Sequence, residues 1–350
     1  MKILIIVITY ILLQNHAVCS GFDTAIQEYP LFNEYISMIS SGNIDFSLKT
    51  IINFITDRIF SEVIESKVLL CEILVISAAS GIIKLMEDTR SERVAYITSY
   101  TLMTICVLRL VCEVLGYGRE IVHSVCDFVT KLAPILLGLV AASGSSASAG
   151  VYSPVLAAAV YILSLAVDKI ILPMLYASSV IGIIGNFHEK LSLSNLNKLI
   201  RNTSKWLLTA LLTLFVSLCS IYGFNSPVLD ALGIKAVKFT IGSIVPVVGG
   251  LLAESMDTVI GGTRLLKNAA GSAGMICIIV ISAVPMIKTW IIMFLLKCCS
   301  AIAEPVCDKK ISIMLQDAAE SVSAVFSIIV TSVMLFLICI GIIIGTTGIR

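Results

Sequence analysis

Runs of about 20 apolar residues constrain this chain more than any other feature, because a helix of that length satisfies its own backbone groups across a hydrocarbon core. Five such runs occur, at 68–86, 94–115, 151–173, 206–223 and 322–345, and a sixth at 273–296 is interrupted by Pro285 and Lys288. Two shorter apolar stretches, 132–142 and 239–253, carry Pro134 and Pro246 and are compatible with half-helices, re-entrant hairpins or parts of tilted spans. Composition points the same way, with 58% of the 350 residues hydrophobic and 13% charged, where soluble domains carry about 25% charge. The expected fold is therefore all-α, a polytopic integral membrane protein of about six to eight transmembrane or re-entrant helices in a lipid bilayer. A net charge of +1 offers no electrostatic reason to expect a nucleic-acid partner.

The start of the chain has the order of a secretory signal: Lys2, the apolar run Ile3 to Leu13, then Ala17-Val18-Cys19-Ser20, so residues 1–19 are expected to be a signal peptide. Residues 20–67 follow as an extracytoplasmic segment, acidic through Asp23, Glu28, Glu34, Asp45, Asp57, Glu62 and Glu65. Within it Ile51, Ile52, Ile55, Ile59, Val63 and Ile64 recur at helical spacing, which predicts an amphipathic helix that leans on the membrane domain or a partner. Two transmembrane helices are expected over 68–115. With residue 20 outside, residues 188–205 fall inside, and their Lys190, Lys198, Arg201 and Lys205 against Glu189 suit a cytoplasmic loop.

Sliding the chain against itself brings Pro134, Gly138, Leu139, Ala141 and Ser143 onto Pro246, Gly250, Leu251, Ala253 and Ser255. At the same offset of 112 residues, Ala157 and Ala158 meet Ala269 and Ala270, and Pro173-Met174 meets Pro285-Met286. An internal repeat of about 112 residues is expected, with units at 120–223 and 232–345, each running through a Pro-Gly hairpin to a Pro-terminated span. Pro134, Pro173, Pro246 and Pro285 are the candidate helix breaks. Gly138, Gly144, Gly249 and Gly250 are candidates for close helix approach.

Charge inside a membrane is costly and is turned toward a bundle interior or a water-filled cavity. Asp168 and Lys169, just before Pro173, and Lys288, just after Pro285, are accordingly the candidates for an intramembrane polar pathway; snorkelling of the two lysines is the plainer alternative. Arg109 and Glu113, four apart, read as an internal pair. Glu254, Asp257, Arg264 and Lys267 read as a solvated loop. The cysteines lie mostly in apolar runs without a CxxC spacing, and His16, His123 and His188 are far apart, so packing is the default for both and no metal site is expected. No Walker A, GxSxG, HExxH or Rossmann pattern occurs, so neither a catalytic site nor a cofactor is expected.

The order of the motifs is more telling than any one of them. Leu132-Ala133-Pro134, the stretch Ser143 to Gly150, Ile171-Leu172-Pro173 and Trp206 resemble the stage III sporulation protein AE family, SpoIIIAE. The likeness continues through Asp230, Lys235-Ala236-Val237-Lys238-Phe239, Val245-Pro246-Val247-Val248-Gly249-Gly250, Asp257-Thr258-Val259, Leu266-Lys267-Asn268-Ala269, Gly271, Pro285 and Glu304-Pro305 with Asp308. It implies a non-enzymatic membrane component of the SpoIIIA–SpoIIQ assembly, a channel or secretion-like conduit joining mother cell and forespore. The same resemblance implies residence in the mother-cell membrane around the forespore and a requirement in late sigma-G dependent gene expression and forespore maintenance. The SpoIIIAA ATPase, the ring-forming SpoIIIAG and, across the intermembrane space, SpoIIQ are the partners it implies. A stand-alone small-molecule or ion transporter is the alternative, suggested by the repeat and by Asp168, Lys169 and Lys288.

Overall fold

The computed structural model describes residue 75 and residues 90–185, 194–244, 249–306 and 309–346. The signal-like start, the acidic segment 20–67, nearly all of the run 68–86 and Pro246 lie outside the described residues. Among the described residues all regular structure is helical: α1 (Arg90–Ala142), α2 (Ser146–Ala166), a π-helical turn (Val167–Ile171), α3 (Leu172–Gly185), α4 (Ser194–Ile244), α5 (Gly249–Val306) and α6 (Lys309–Thr346). Five helical stretches are long and apolar enough to cross a membrane. The expected helical membrane architecture is what the chain forms.

Helix α1 shows why hydropathy alone misplaces boundaries. Its charged stretch between the apolar runs 94–115 and 132–142 was expected to separate two units, yet the helix continues through it without interruption. The physical reason is an unbroken inward stripe. Tyr100, Met103, Val107, Val111, Val114, Gly118, Val122, Val125, Val129, Leu132, Leu136 and Val140 are all buried and recur every three or four residues from 100 to 140. At 53 residues α1 is about 80 Å long, against a hydrocarbon core of about 30 Å, so its charged middle need not be immersed in lipid.

The prolines do not break the helices as expected. Pro134 lies inside α1 and Pro285 inside α5, and both helices continue past them. At Pro173 the chain makes its adjustment one turn earlier. The π turn lets the Leu172 N–H reach the Val167 carbonyl, five residues back, and α3 then carries on to Gly185. A proline removes one backbone bond and crowds the preceding turn, and packing on neighbouring helices compensates for this within a bundle. The local backbone also differs between the two stretches aligned by the offset of 112: residues 279–283, facing the π turn in that alignment, are α-helical.

The chain reverses after α1 in a short turn that depends on Gly144. Its N–H donates to the Ala141 carbonyl at 3.1 Å and the Ser145 N–H to the Val140 carbonyl at 3.2 Å. That is a Schellman motif, with Gly144 at φ 84°. Gly144 is thus a turn residue. Gly144→Ala is expected to cost about 1 kcal/mol, since the left-handed region penalises a Cβ. A lower melting temperature of the detergent-purified protein checks this.

Helix α6 is the hub, touching each of the other five helices. Its residues Ala318, Ala319, Val322, Val325, Ile328, Ile329, Phe336, Cys339 and Ile343 are completely enclosed. The outward faces of the other helices are apolar too, with Leu102, Ile105, Tyr161, Trp206, Leu214, Trp290 and Phe294 exposed, as a lipid-facing surface requires. Gly138 is exposed, and a Cβ there would meet nothing within 4 Å, so it is not a point of close approach. Close approach happens at Gly118, Gly182, Gly271 and Gly274, where an added Cβ would collide with Val325, Asn197, Ile344 and Leu132 respectively. Gly249 and Gly250 form the start of α5.

Candidate functional site

The middle turns of α1 carry a belt of polar groups that meets two other elements. On one flank, residues 119 and 123, four apart and so on one face, approach the π turn. The Asp168 carboxylate accepts from Arg119 Nε at 3.0 Å, and His123 Nε2 lies 2.9 Å from its second oxygen. Asp168 keeps only 15% of its side chain exposed, while Arg119 keeps 60%. A π turn inserts one residue per turn and so rotates the following side chains. Such turns recur where a helix must aim a functional group.

On the other flank, Tyr117, Glu120 and Ser124 face α5. Lys288 Nζ sits 5.1 Å from the Tyr117 ring centroid, a cation–π distance. The Tyr117 hydroxyl donates to Glu113 Oε1 at 2.7 Å. Glu113 is therefore engaged by Tyr117, and the expected Arg109–Glu113 pair is not formed among the described residues. Between the two helices lies a cavity of about 270 Å³ with Tyr117, Glu120, Ser124, Lys288 and Thr289 on its polar side and Ile281, Val284 and Pro285 on its apolar side.

Asp168, Lys169 and Lys288 were expected to share one pathway, and the structure separates them. Asp168 and Lys288 lie at the same height of α1 but on different flanks of it. Lys169 is exposed and makes no ion pair among the described residues. His123, read from sequence as a packing residue, instead partners Asp168. Its position four residues after Arg119 is the signal that would have found it.

A second polar cluster was hidden in what looked like a basic cytoplasmic loop. Residues 194–205 form the first turns of α4, and Arg201 is buried, with 3% of its side chain exposed. Its guanidinium pairs with Glu320 and lies 3.8 Å from an oxygen of Asp317, both on α6. Asn197, one turn earlier, sits between Arg201, Asp317 and Ser178 of α3. Gly182 leaves the space that its amide fills. Asp317 and Glu320, three apart at the head of an otherwise uncharged apolar run, were the legible half of this cluster.

Lys267 gives a further correction. Rather than standing in a solvated loop, it is buried and donates from Nζ to the Ile344 carbonyl at 3.0 Å. It belongs to an inward stripe of α5 with Ile260, Gly271, Gly274 and Ile278, and it neutralises the partial negative charge at the C-terminal end of α6. Two buried cysteines, Cys219 of α4 and Cys339 of α6, also lie with their sulfurs 3.2 Å apart. Among the described residues no group of three His, Cys, Asp or Glu side chains is placed to hold a metal ion.

Long apolar helices, a lipid-facing exterior and charges met by partners between helices define a polytopic helical membrane protein. The family described as Stage III sporulation protein AE matches residues 31–347, and the chain belongs to that family. It is 28% identical over 302 residues to Stage III sporulation protein AE of Bacillus subtilis (strain 168), covering 85% of this chain and 76% of that protein. No solved structure matches it. A membrane protein with a role in sporulation is thereby established.

Proposed function

We propose that the chain is a non-enzymatic integral component of the SpoIIIA–SpoIIQ assembly, seated in the mother-cell membrane around the forespore and contributing to a channel or secretion-like conduit. The observation that carries this reading is the family match across residues 31–347. The helical bundle supports it by supplying five helices long and apolar enough to cross a membrane. In this reading its partners are the SpoIIIAA ATPase, the ring-forming SpoIIIAG and, across the intermembrane space, SpoIIQ, and the conduit serves late sigma-G dependent expression and forespore maintenance. Deleting the gene in a sporulating host is expected to arrest development after engulfment, with sigma-G reporters silent. Normal refractile spores would overturn the reading.

The cavity between α1 and α5 favours a second reading, a stand-alone transporter of small molecules or ions. Purified protein reconstituted alone would then move solute across liposomes, and absence of flux without the partner proteins decides against it.

A further inference from the structure

We propose that the cavity between α1 and α5 is a binding site for a small zwitterion carrying an apolar group, either a free apolar α-amino acid or the headgroup region of an aminophospholipid such as phosphatidylethanolamine. The cavity's two charged side chains come from different helices and have opposite signs. Glu120 on α1 lines it and makes no ion pair among the described residues. Glu120 stands exposed at the rim, and its carboxylate, which only accepts, can take a cationic donor that enters the cavity. Lys288 on α5 is placed over the face of Tyr117, and an ammonium with three donors can meet an anion while keeping that ring contact.

Together the two charges discriminate. A simple anion is repelled by Glu120 and a simple cation by Lys288, whereas a molecule with both an ammonium and a carboxylate or phosphate is complementary to the pair. Ile281, Val284 and Pro285 form an apolar wall for the remaining carbon atoms. At about 270 Å³ the cavity is too large for a lone ion or water and near the lower end of the range for small-ligand pockets. The inference goes beyond the conduit reading and does not depend on it: it is read on purified protein, whereas the conduit role is read in sporulating cells.

The test uses the full chain in phosphatidylglycerol nanodiscs with labelled leucine as probe, and in discs of equal phosphatidylethanolamine and phosphatidylglycerol to measure which lipid is retained after extraction into detergent. Saturable leucine binding identifies the free source, and selective retention of phosphatidylethanolamine identifies the lipid source. For whichever probe binds, Glu120→Gln and Lys288→Met are each expected to weaken binding at least about tenfold, as loss of a hydrogen bond to a charged group implies. Asp127→Asn, exposed on α1 away from the cavity, should change nothing. N-acetyl-leucine and leucinamide, each lacking one charge, should compete at least about tenfold more weakly than leucine. Ser124→Phe fills the cavity without altering its charges and should abolish binding while the melting temperature reports a folded protein. Absence of leucine binding together with equal retention of the two lipids overturns the proposal, as does binding that survives both charge substitutions.

Discussion

Arg201→Leu is expected to destabilise the bundle by about 3 kcal/mol, the low end of the range for breaking a buried ion pair. The substitution removes the cation that Glu320 and Asp317 face, leaving two carboxylates on the helix that every other helix packs against. The low end applies because Glu320 keeps 44% and Asp317 25% of their side chains exposed, so water relieves part of the penalty. Unfolding can be followed by a thiol-reactive dye, since Cys126, Cys219, Cys299 and Cys339 are buried and become reactive only when the helices separate. Adding Asp317→Asn and Glu320→Gln to the Arg201→Leu chain should recover most of the loss, because the damage comes from unpaired charge and not from lost volume. If the triple variant is no more stable than the single one, the cluster acts through packing instead. Arg201→Lys should not substitute fully, as a single ammonium cannot span two carboxylates as a guanidinium fork does.

Gly118→Ala is expected to cost about 2 kcal/mol, although alanine is otherwise the better helix former. The new methyl group would stand 2.5 Å from Val325 Cγ1, at the crossing of α1 and α6. Val325 is itself enclosed and has no room to retreat. Val325→Ala alone should also destabilise, by leaving a void. The two together should be more stable than the sum of their separate losses by about 1 kcal/mol or more, since each relieves the other. Strict additivity in the same dye measurement would show that the two residues do not press on each other. Gly138→Ala, on an open face of the same helix, should not destabilise and is expected to gain up to about 1 kcal/mol.

The contrast between these two glycines shows where sequence becomes ambiguous. Both lie in α1, Gly118 beside Tyr117 and Arg119 and Gly138 between Leu137 and Leu139, yet the one in the charged stretch is the crossing point and the other faces outward, a difference that depends on where α6 lies. Lys267 and Arg201 show the same ambiguity for charge. Each has other charged or amide residues within a turn, Lys198 and Asn202 for Arg201 and Arg264 and Asn268 for Lys267, and looked solvated, but each is buried inside a long helix. Sequence patterns report which residues share a face. They do not report which face meets a partner when both faces are apolar, as they are in a membrane helix.

From its residues alone this chain was committed to helices in a bilayer, because apolar runs of that length leave the backbone no other way to satisfy itself in hydrocarbon. The ordered motifs likewise carried the family. What required the tertiary structure was the partnering of the charges: Asp168 with Arg119 and His123, Lys288 with Tyr117, and Arg201 with Asp317 and Glu320. Those partners are up to 171 residues apart in the chain. Their meeting is set by how α6 and α1 nest against their neighbours, a matter of side-chain shape at helix crossings that no local periodicity encodes.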